Sequence, residues 1–156
     1  SYWRAGRPMI DPVCKGGTVA IEAAMIGMKI APGMNRTFAC EDWSPDYQKI
    51  SQQIRHEAST NQIAGLDNRI IAIDSDSRVL QKARFNASLA NVSECIHFEC
   101  RELTEIQSQR RFGSVITLPP PEETFRSFRE RDDYYRQLPE LFRRLPTCSH
   151  SVLSDF

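Results

Sequence analysis

Residues 9–28 read MIDPVCKGGTVAIEAAMIGM, and this stretch decides the fold. Its first two residues predict a short strand that stops at Asp11. A turn with two glycines follows at residues 13–18. The next segment, residues 19–28, is almost wholly apolar and predicts a buried helix with Thr18 as its cap. A strand, a glycine turn and a buried helix in succession are typical of the first unit of a βαβ protein.

The chain downstream extends this pattern, because apolar runs alternate with helical periodicity. Strands are expected at residues 70–73, 96–100, 115–117 and 151–153. Helices are expected at residues 45–59 and 134–145. A further helix is expected to begin after a cap at Asp76 or Ser77 and to end at about Ala90. Five strands with such crossovers form a doubly wound α/β sheet, whose ligands bind at the carboxyl ends of the strands.

Residues with binding chemistry follow three of these strands in turn. Asp11, Gly16 and Gly17 come after the first strand, Asp74 after the second and Glu102 after the third. A glycine turn lets a ligand approach the backbone, and the two acids can accept bonds from ribose hydroxyls and an adenine amino group. Singly, the acids are equally a helix cap or a solvated loop residue, and the glycines an ordinary turn. Their order predicts an adenosine-shaped cleft.

Composition excludes several other classes. The chain has 156 residues, and 20 Lys and Arg balance 20 Asp and Glu, which argues against binding nucleic acid by bulk charge alone. No stretch approaches the ~20 apolar residues of a membrane span. Five scattered cysteines and three histidines form no zinc or disulfide pattern. We therefore expect no membrane, no metal and a cytoplasmic location.

Two nucleotide-binding motifs are also missing from the sequence. There is no G-x-G-x-x-G, and Lys15 precedes its glycines, so the turn is not a phosphate-binding P-loop.

Longer segments carry a specific family resemblance. They are DPVCKGGT (11–18), IEAAMIGMKIAPG (21–33), Asn35-Arg36-x-Phe38, Glu41-x-Trp43, Ala72-x-Asp74-x-Asp76, YRQLP (135–139) and FRRLP (142–146). The chain, from about Arg7 to Phe156, resembles the bacterial large-subunit ribosomal RNA guanine-N2 methyltransferases, a family formerly named N6-adenine-specific DNA methylases.

The resemblance implies a Rossmann-like class I S-adenosylmethionine-dependent methyltransferase fold with parallel strand order 3-2-1-4-5. Residues 1–156 would form a single catalytic-core domain, truncated at both ends, without the family's N-terminal THUMP domain and last strands. The partner implied is ribosomal RNA. The cofactor-binding residues implied are Asp11, Cys14, Gly16, Gly17 and Thr18 at the methionine side, Asp74 at the ribose and Glu102 at the adenine amino group.

The first loop departs from the family pattern Asp-Pro-x-Cys-Gly-Ser-Gly-Thr, because Lys15 and Gly16 replace its Gly-Ser. If position 15 needs a left-handed backbone, a lysine there costs roughly 1–2 kcal/mol. Its side chain would crowd the methionine moiety, pair with the carboxylate of that moiety, or point to solvent. Gly16 would take over part of the backbone role.

The second departure lies in the family's catalytic tetrapeptide Asn-Pro-Pro-Tyr, where this chain has Leu118, Pro119, Pro120 and Pro121. In the family, the asparagine amide and a neighbouring backbone carbonyl hold the target amine and aim its lone pair at the sulfonium methyl. The side chain of Leu118 accepts no hydrogen bond, and the loss of one such preorganised group lowers the rate on the order of 10²–10³. Pro121 lacks the aromatic face that stacks on an extruded base, which is worth roughly 1–3 kcal/mol. Only the carbonyl after Leu118 remains.

Two functions are therefore open. The first is methyl transfer from S-adenosylmethionine to guanine N2 of ribosomal RNA, impaired in this chain. The second is a catalytically silent binding or assembly module with the same fold. The acids at positions 11, 74 and 102 favour the first, and the changes at positions 15, 118 and 121 favour the second. The oligomeric state is left open.

Overall fold

The computed structural model of the chain describes residue 1 and residues 3–153. Five parallel strands form one sheet in the order β3-β2-β1-β4-β5, as predicted. The strands are β1 (Met9–Asp11), β2 (Ile70–Asp74), β3 (Ile96–Cys100), β4 (Ser114–Thr117) and β5 (Ser149–Val152). The helices are α1 (Thr18–Gly27), α2 (Pro45–Thr60), α3 (Ser77–Leu89) and α4 (Phe128–Arg144).

Helices cover both faces of this sheet. Met9 and Ile70 pack with α1 and α3 in one apolar cluster, whereas Ile10 and Val115 pack with α4 in the other. Neighbouring residues of β1 thus enter different clusters, because successive strand side chains point to opposite faces. A parallel sheet needs this double cover, since both its faces are apolar.

β1 is the central strand, and the order in which strands are added to the sheet reverses beside it. Ile10 pairs with Ile71 of β2 on one side and with Val115 of β4 on the other. The chain leaves β1 toward α1 and leaves β4 toward α4, on opposite faces. The loops that follow β1 and β4 therefore start toward opposite faces of the sheet. The place between them at the carboxyl ends of these strands, which we call the crevice, is the usual ligand site of such sheets.

The caps of two helices resolve differently from the sequence predictions. Thr18 is wrong as the cap of α1, because Gly17 occupies that position with φ 85° and Thr18 is the first helical residue. A Cβ at Gly17 would also lie 3.2 Å from the Cβ of Ala83. The open choice at α3 falls to Asp76, whose carboxylate accepts the Arg78 N–H at 2.8 Å.

The last helix and the last strand begin earlier than predicted. α4 starts at Phe128 because Ser127 caps it, accepting the N–H of Glu130 through its hydroxyl at 3.2 Å. β5 starts at Ser149, which pairs with Ser114. The charged residues 129–133 of α4 and the polar residues of β5 have no apolar signal, so the sequence pattern did not include them.

Three further features concern the described part of the chain. It contains no helix that is long and apolar enough to cross a membrane. All five cysteines lie in it, and none forms a disulfide. Within the same residues, no group of three or more His, Cys, Asp or Glu side chains is arranged to hold a metal ion.

Candidate active site

The loop after β1 is tied to the end of β2. Asp74 is half-buried, and its carboxylate accepts the backbone N–H of Lys15 at 2.9 Å and that of Asp76 at 3.0 Å. The N–H of Cys14 donates to the carbonyl of Ile73 at 2.7 Å. Each Asp74 oxygen keeps a lone pair for a further donor. The structure therefore brings together two of the segments that the sequence predicted to share a site.

Lys15 has the left-handed backbone on which the predicted strain depends, with φ 49°. The expectation that Gly16 takes over this role is wrong, because its φ is not positive and the lysine itself makes the turn. The solvent-pointing alternative is also wrong: the Lys15 ammonium donates to the carbonyl of Pro119 at 2.8 Å. Burial lowers the pKa of Lys15, while Asp11 and Asp74 act in the opposite direction.

Asp11 is a buried acid whose carboxylate makes no well-formed hydrogen bond within the described part of the chain. Its residue is 1% exposed, and neither carboxylate oxygen makes a hydrogen bond among the described residues. Burial raises the pKa of Asp11 to about 7; the nearby N–H of Val13 lowers it in part, Asp74 raises it further and Lys15 lowers it. An ionised carboxylate in such a place costs free energy unless it binds a proton or a cation.

The other predicted loop residues differ in their surroundings. Cys14 is buried, which raises the pKa of its thiol to about 12, so it stays protonated and is not a nucleophile. A Cβ at Gly16 would meet only Asn86, at an ordinary 3.6 Å, so the space there does not require glycine. Gly17 is close-packed against α3, and Thr18 is exposed.

Two predicted parts of the site stand apart from these contacts. Glu102 is exposed and begins a short 3₁₀ turn, its N–H donating to the Glu105 carboxylate at 3.4 Å. Among the described residues, no hydrogen bond joins it to Asp74. Leu118 and Pro121 are exposed, and a hydrogen bond to the carbonyl of the buried Pro119 joins this loop to the loop after β1. Pro120 is half-buried.

Sequence reasoning missed two buried polar groups. The hydroxyls of Thr117, at the end of β4, and Tyr134, on α4, have no partner within the described chain. Burial raises the pKa of Tyr134, and Tyr135 and the charges of Asp11 and Asp74 add to the rise. The signal available was a tyrosine on the apolar face of a helix, where a buried hydroxyl normally needs a partner.

An apolar cavity of about 250 Å³ lies elsewhere, between residues 31–41 and α2. Arg55 spans it, donating to the carbonyl of Met34 at 2.8 Å and to the carboxylate of Glu41 at 2.6 Å. None of the strand-end residues lines this cavity. Because Asp11, Lys15 and Asp74 lie at the carboxyl ends of the strands, we assign the candidate site to the crevice between β1 and β4.

Comparison with known proteins identifies the family of the chain. Residues 1–153 match the family described as RMKL-like, methyltransferase domain. The chain belongs to this methyltransferase family. One curated relative, "Putative RNA methyltransferase YpsC" of Bacillus subtilis (strain 168), is 33% identical over 153 residues, which are 98% of this chain and 40% of the relative.

Two solved structures are similar over almost the whole chain. One is that of SMU.472, described as "a putative methyltransferase complexed with SAH", at TM-score 0.91 and 33% identity, covering 97% of this chain and 40% of the other. The second, from Listeria monocytogenes str. 4b F2365, is called a predicted N6-adenine-specific DNA methylase. It has TM-score 0.89 and 34% identity, covering 100% and 41% of the two chains. The chain thus spans about two fifths of the length of these relatives.

Proposed function

We propose that residues 1–156 act as the catalytic core of an S-adenosylmethionine-dependent RNA methyltransferase. The substrate would be an exocyclic amine, guanine N2 of ribosomal RNA, in the cytoplasm, and the rate would be lowered by the loop at 118–121. The observation that carries the proposal is the buried, unpartnered carboxylate of Asp11 beside the crevice of a methyltransferase-family sheet. Similarity to SMU.472, whose structure contains SAH, supports the cofactor assignment.

Asp11 suits a cationic ligand. S-adenosylmethionine carries an ammonium group on its methionine portion and a positively charged sulfonium. An ammonium beside Asp11 would supply the hydrogen bonds and the charge that the carboxylate lacks. Cys14, Gly16, Gly17 and Thr18 lie in the loop that the backbone N–H of Lys15 anchors to Asp74, so these four residues would surround the methionine end.

The two remaining acids suit the adenosine end. Asp74 has an open lone pair on each oxygen, which ribose hydroxyls would use. Asp74 pairs with Cys100 of β3, so Glu102 follows at the same edge of the sheet. Its exposed carboxylate would accept a hydrogen from the adenine amino group.

When bound, the cofactor supplies an electrophilic methyl group. The protein's part is to hold the target amine with its lone pair toward that methyl group. The side chain of Leu118 offers no acceptor for the amine, so the backbone carbonyl of Pro119 would be the acceptor that remains from the family arrangement. One preorganised group of this kind is worth about 10²–10³ in rate, so transfer is expected to be slow.

A catalytically silent cofactor-binding module is the second candidate. Two observations favour the silent module. Position 118 holds a leucine, and the ammonium of Lys15 already donates a hydrogen bond to the carbonyl of Pro119. Such a module would keep the fold and the cofactor pocket and lack transfer.

Calorimetric titration with S-adenosylmethionine tests cofactor binding. The folded chain should bind it, and Asp11→Asn should weaken binding by about 10- to 100-fold, the usual worth of a charged hydrogen bond. Asp67→Asn is the matched control, because Asp67 is an exposed acid outside the crevice. A folded chain that does not bind the cofactor would refute the proposal.

Methyl transfer separates the two candidates. Leu118→Asn combined with Pro121→Tyr restores the family tetrapeptide. If the chain is an impaired enzyme, incorporation of labelled methyl groups into ribosomal RNA should rise by at least about 10²-fold. No gain in a variant that binds S-adenosylmethionine normally would favour the silent module.

A further inference from the structure

The side chain of Lys15 crosses the crevice at the centre of the sheet. Lys15 belongs to the loop after β1, and Pro119 to the loop after β4. The bond of 2.8 Å between the Lys15 ammonium and the Pro119 carbonyl, which we call the Lys15 bridge, joins the two diverging loops. It therefore lies where a ligand of this sheet is expected.

The base of the bridge is held firmly. The N–H of Lys15 donates to Asp74, and Gly17 donates to the carbonyl of Cys14 at 2.7 Å, which closes the turn. The left-handed conformation of Lys15 persists because these bonds determine it, although such a backbone is unfavourable for a lysine. The direction of the side chain is thus built into the loop.

The bond at the far end uses the chemistry of the target amine. A nucleobase amine and a lysine ammonium both donate N–H to a carbonyl oxygen, and the charged donor makes the stronger bond. Pro119 is buried, and the side chain of Leu118 supplies no acceptor in place of an amide. An incoming amine that binds the Pro119 carbonyl therefore competes with Lys15 for it.

We propose that Lys15 is an internal occupant of the target-amine site: its ammonium takes the position of an amine substrate at the carbonyl of Pro119. This inference rests on the proposed function, because it identifies the acceptor with the Pro119 carbonyl. The bridge leaves the cofactor acids available and closes the amine side of the crevice. Because an incoming amine must first displace the Lys15 bridge, the bridge should weaken amine binding by roughly 10-fold or more, as for other hydrogen bonds to charged groups.

The chain contains a matched control for Lys15. Lys29 also has a left-handed backbone, with φ 56°, but its side chain is exposed. Lys15→Gly and Lys29→Gly therefore both relieve backbone strain, and only the first removes the bridge. The other two lysines, Lys49 and Lys82, are exposed as well.

The bridge can be observed without any activity. Proton–nitrogen spectra of chain labelled at its lysine ammonium groups should contain one signal protected from hydrogen exchange. This signal should vanish in Lys15→Gly and persist in Lys29→Gly. Four equally fast-exchanging ammonium groups would overturn the proposal.

Ligand binding and transfer test the consequence. S-adenosylhomocysteine should bind the unchanged chain and Lys15→Gly with affinities within about threefold of each other. If only Lys15→Gly binds it, Lys15 blocks the cofactor and not the amine, and the proposal is overturned. In the Leu118→Asn, Pro121→Tyr background, adding Lys15→Gly should raise transfer to RNA at least about 10-fold over adding Lys29→Gly. Equal rates would overturn the proposal. Failure of the proposed function would differ, since no variant would bind S-adenosylhomocysteine.

Discussion

Replacing Asp11 by asparagine should stabilise the ligand-free chain at neutral and alkaline pH. Burial raises the pKa of Asp11 from its ordinary value near 3.8 to about 7. At 1.36 kcal/mol for each of about three pH units, the ionised carboxylate costs about 4 kcal/mol of folding free energy. This cost is large beside the ~5–15 kcal/mol that typically stabilises a domain.

The sign of the pH dependence follows from which state holds the proton. Between about pH 4 and pH 7 the folded chain keeps the proton on Asp11 and the unfolded chain loses it. The contribution of Asp11 to the free energy of unfolding therefore falls as the pH rises through this range, and it is constant above it. Asparagine does not ionise, so Asp11→Asn lacks this fall.

The comparison with asparagine isolates Asp11 from the other groups. The amide introduced by Asp11→Asn remains a buried polar group, as the protonated acid does, so both proteins should have similar stability near pH 4.5. At about pH 8 the variant should be more stable by about 2–4 kcal/mol. The same variant should bind S-adenosylmethionine more weakly, a gain of stability at the expense of function.

Urea denaturation followed by circular dichroism between about pH 4.5 and pH 8.5 measures both effects. Groups other than Asp11 are the same in both proteins, so their contribution cancels in the difference between variant and parent. Asp67→Asn, at an exposed position, should follow the parent at every pH. A stability difference between Asp11→Asn and the parent that is the same at both ends of the range would refute the reasoning.

Three further changes test the scaffold of the site by urea denaturation or proteolysis. Gly17→Ala should destabilise the chain by about 1–3 kcal/mol because φ is 85° and Ala83 lies 3.2 Å from the new Cβ; Gly65→Ala, where no atom lies within 4 Å, should be near neutral. Asp76→Ala should cost about 1 kcal/mol by removing the α3 cap, and an equal loss with Asp76→Asn would argue against capping. Arg55→Ala should speed protease cleavage in residues 33–41, whose carbonyls it binds; unchanged cleavage would contradict that role.

The sheet could be predicted from the sequence where its strands are buried on both faces. The run at residues 70–73 is continuously apolar, as expected for an inner parallel strand, and it ends at Asp74. β5 lies outside β4 and carries Ser149, His150 and Ser151, so its start has no apolar signal. The start of α4 depends on a cap at Ser127, a local signal that the apolar pattern did not use.

The candidate site could be predicted in part. The positions of Asp11 and Asp74 after two strands follow from the alternation of elements along the chain. The bond from Lys15 to Pro119 joins residues 104 positions apart, so it depends on how two loops meet in space. The lack of a partner for Asp11 is likewise a property of the packed interior, which no local pattern describes.

The outer edge of β5 has a consequence for the chain in solution. Within the described residues β5 pairs only with β4, so the backbone groups on its far side are open to another strand. Val152 is 42% exposed and Leu153 is 67% exposed at the end of this edge. An open edge of this kind is a template for strand addition. Purified copies should therefore associate as their concentration rises, by extending the sheet from one molecule into the next.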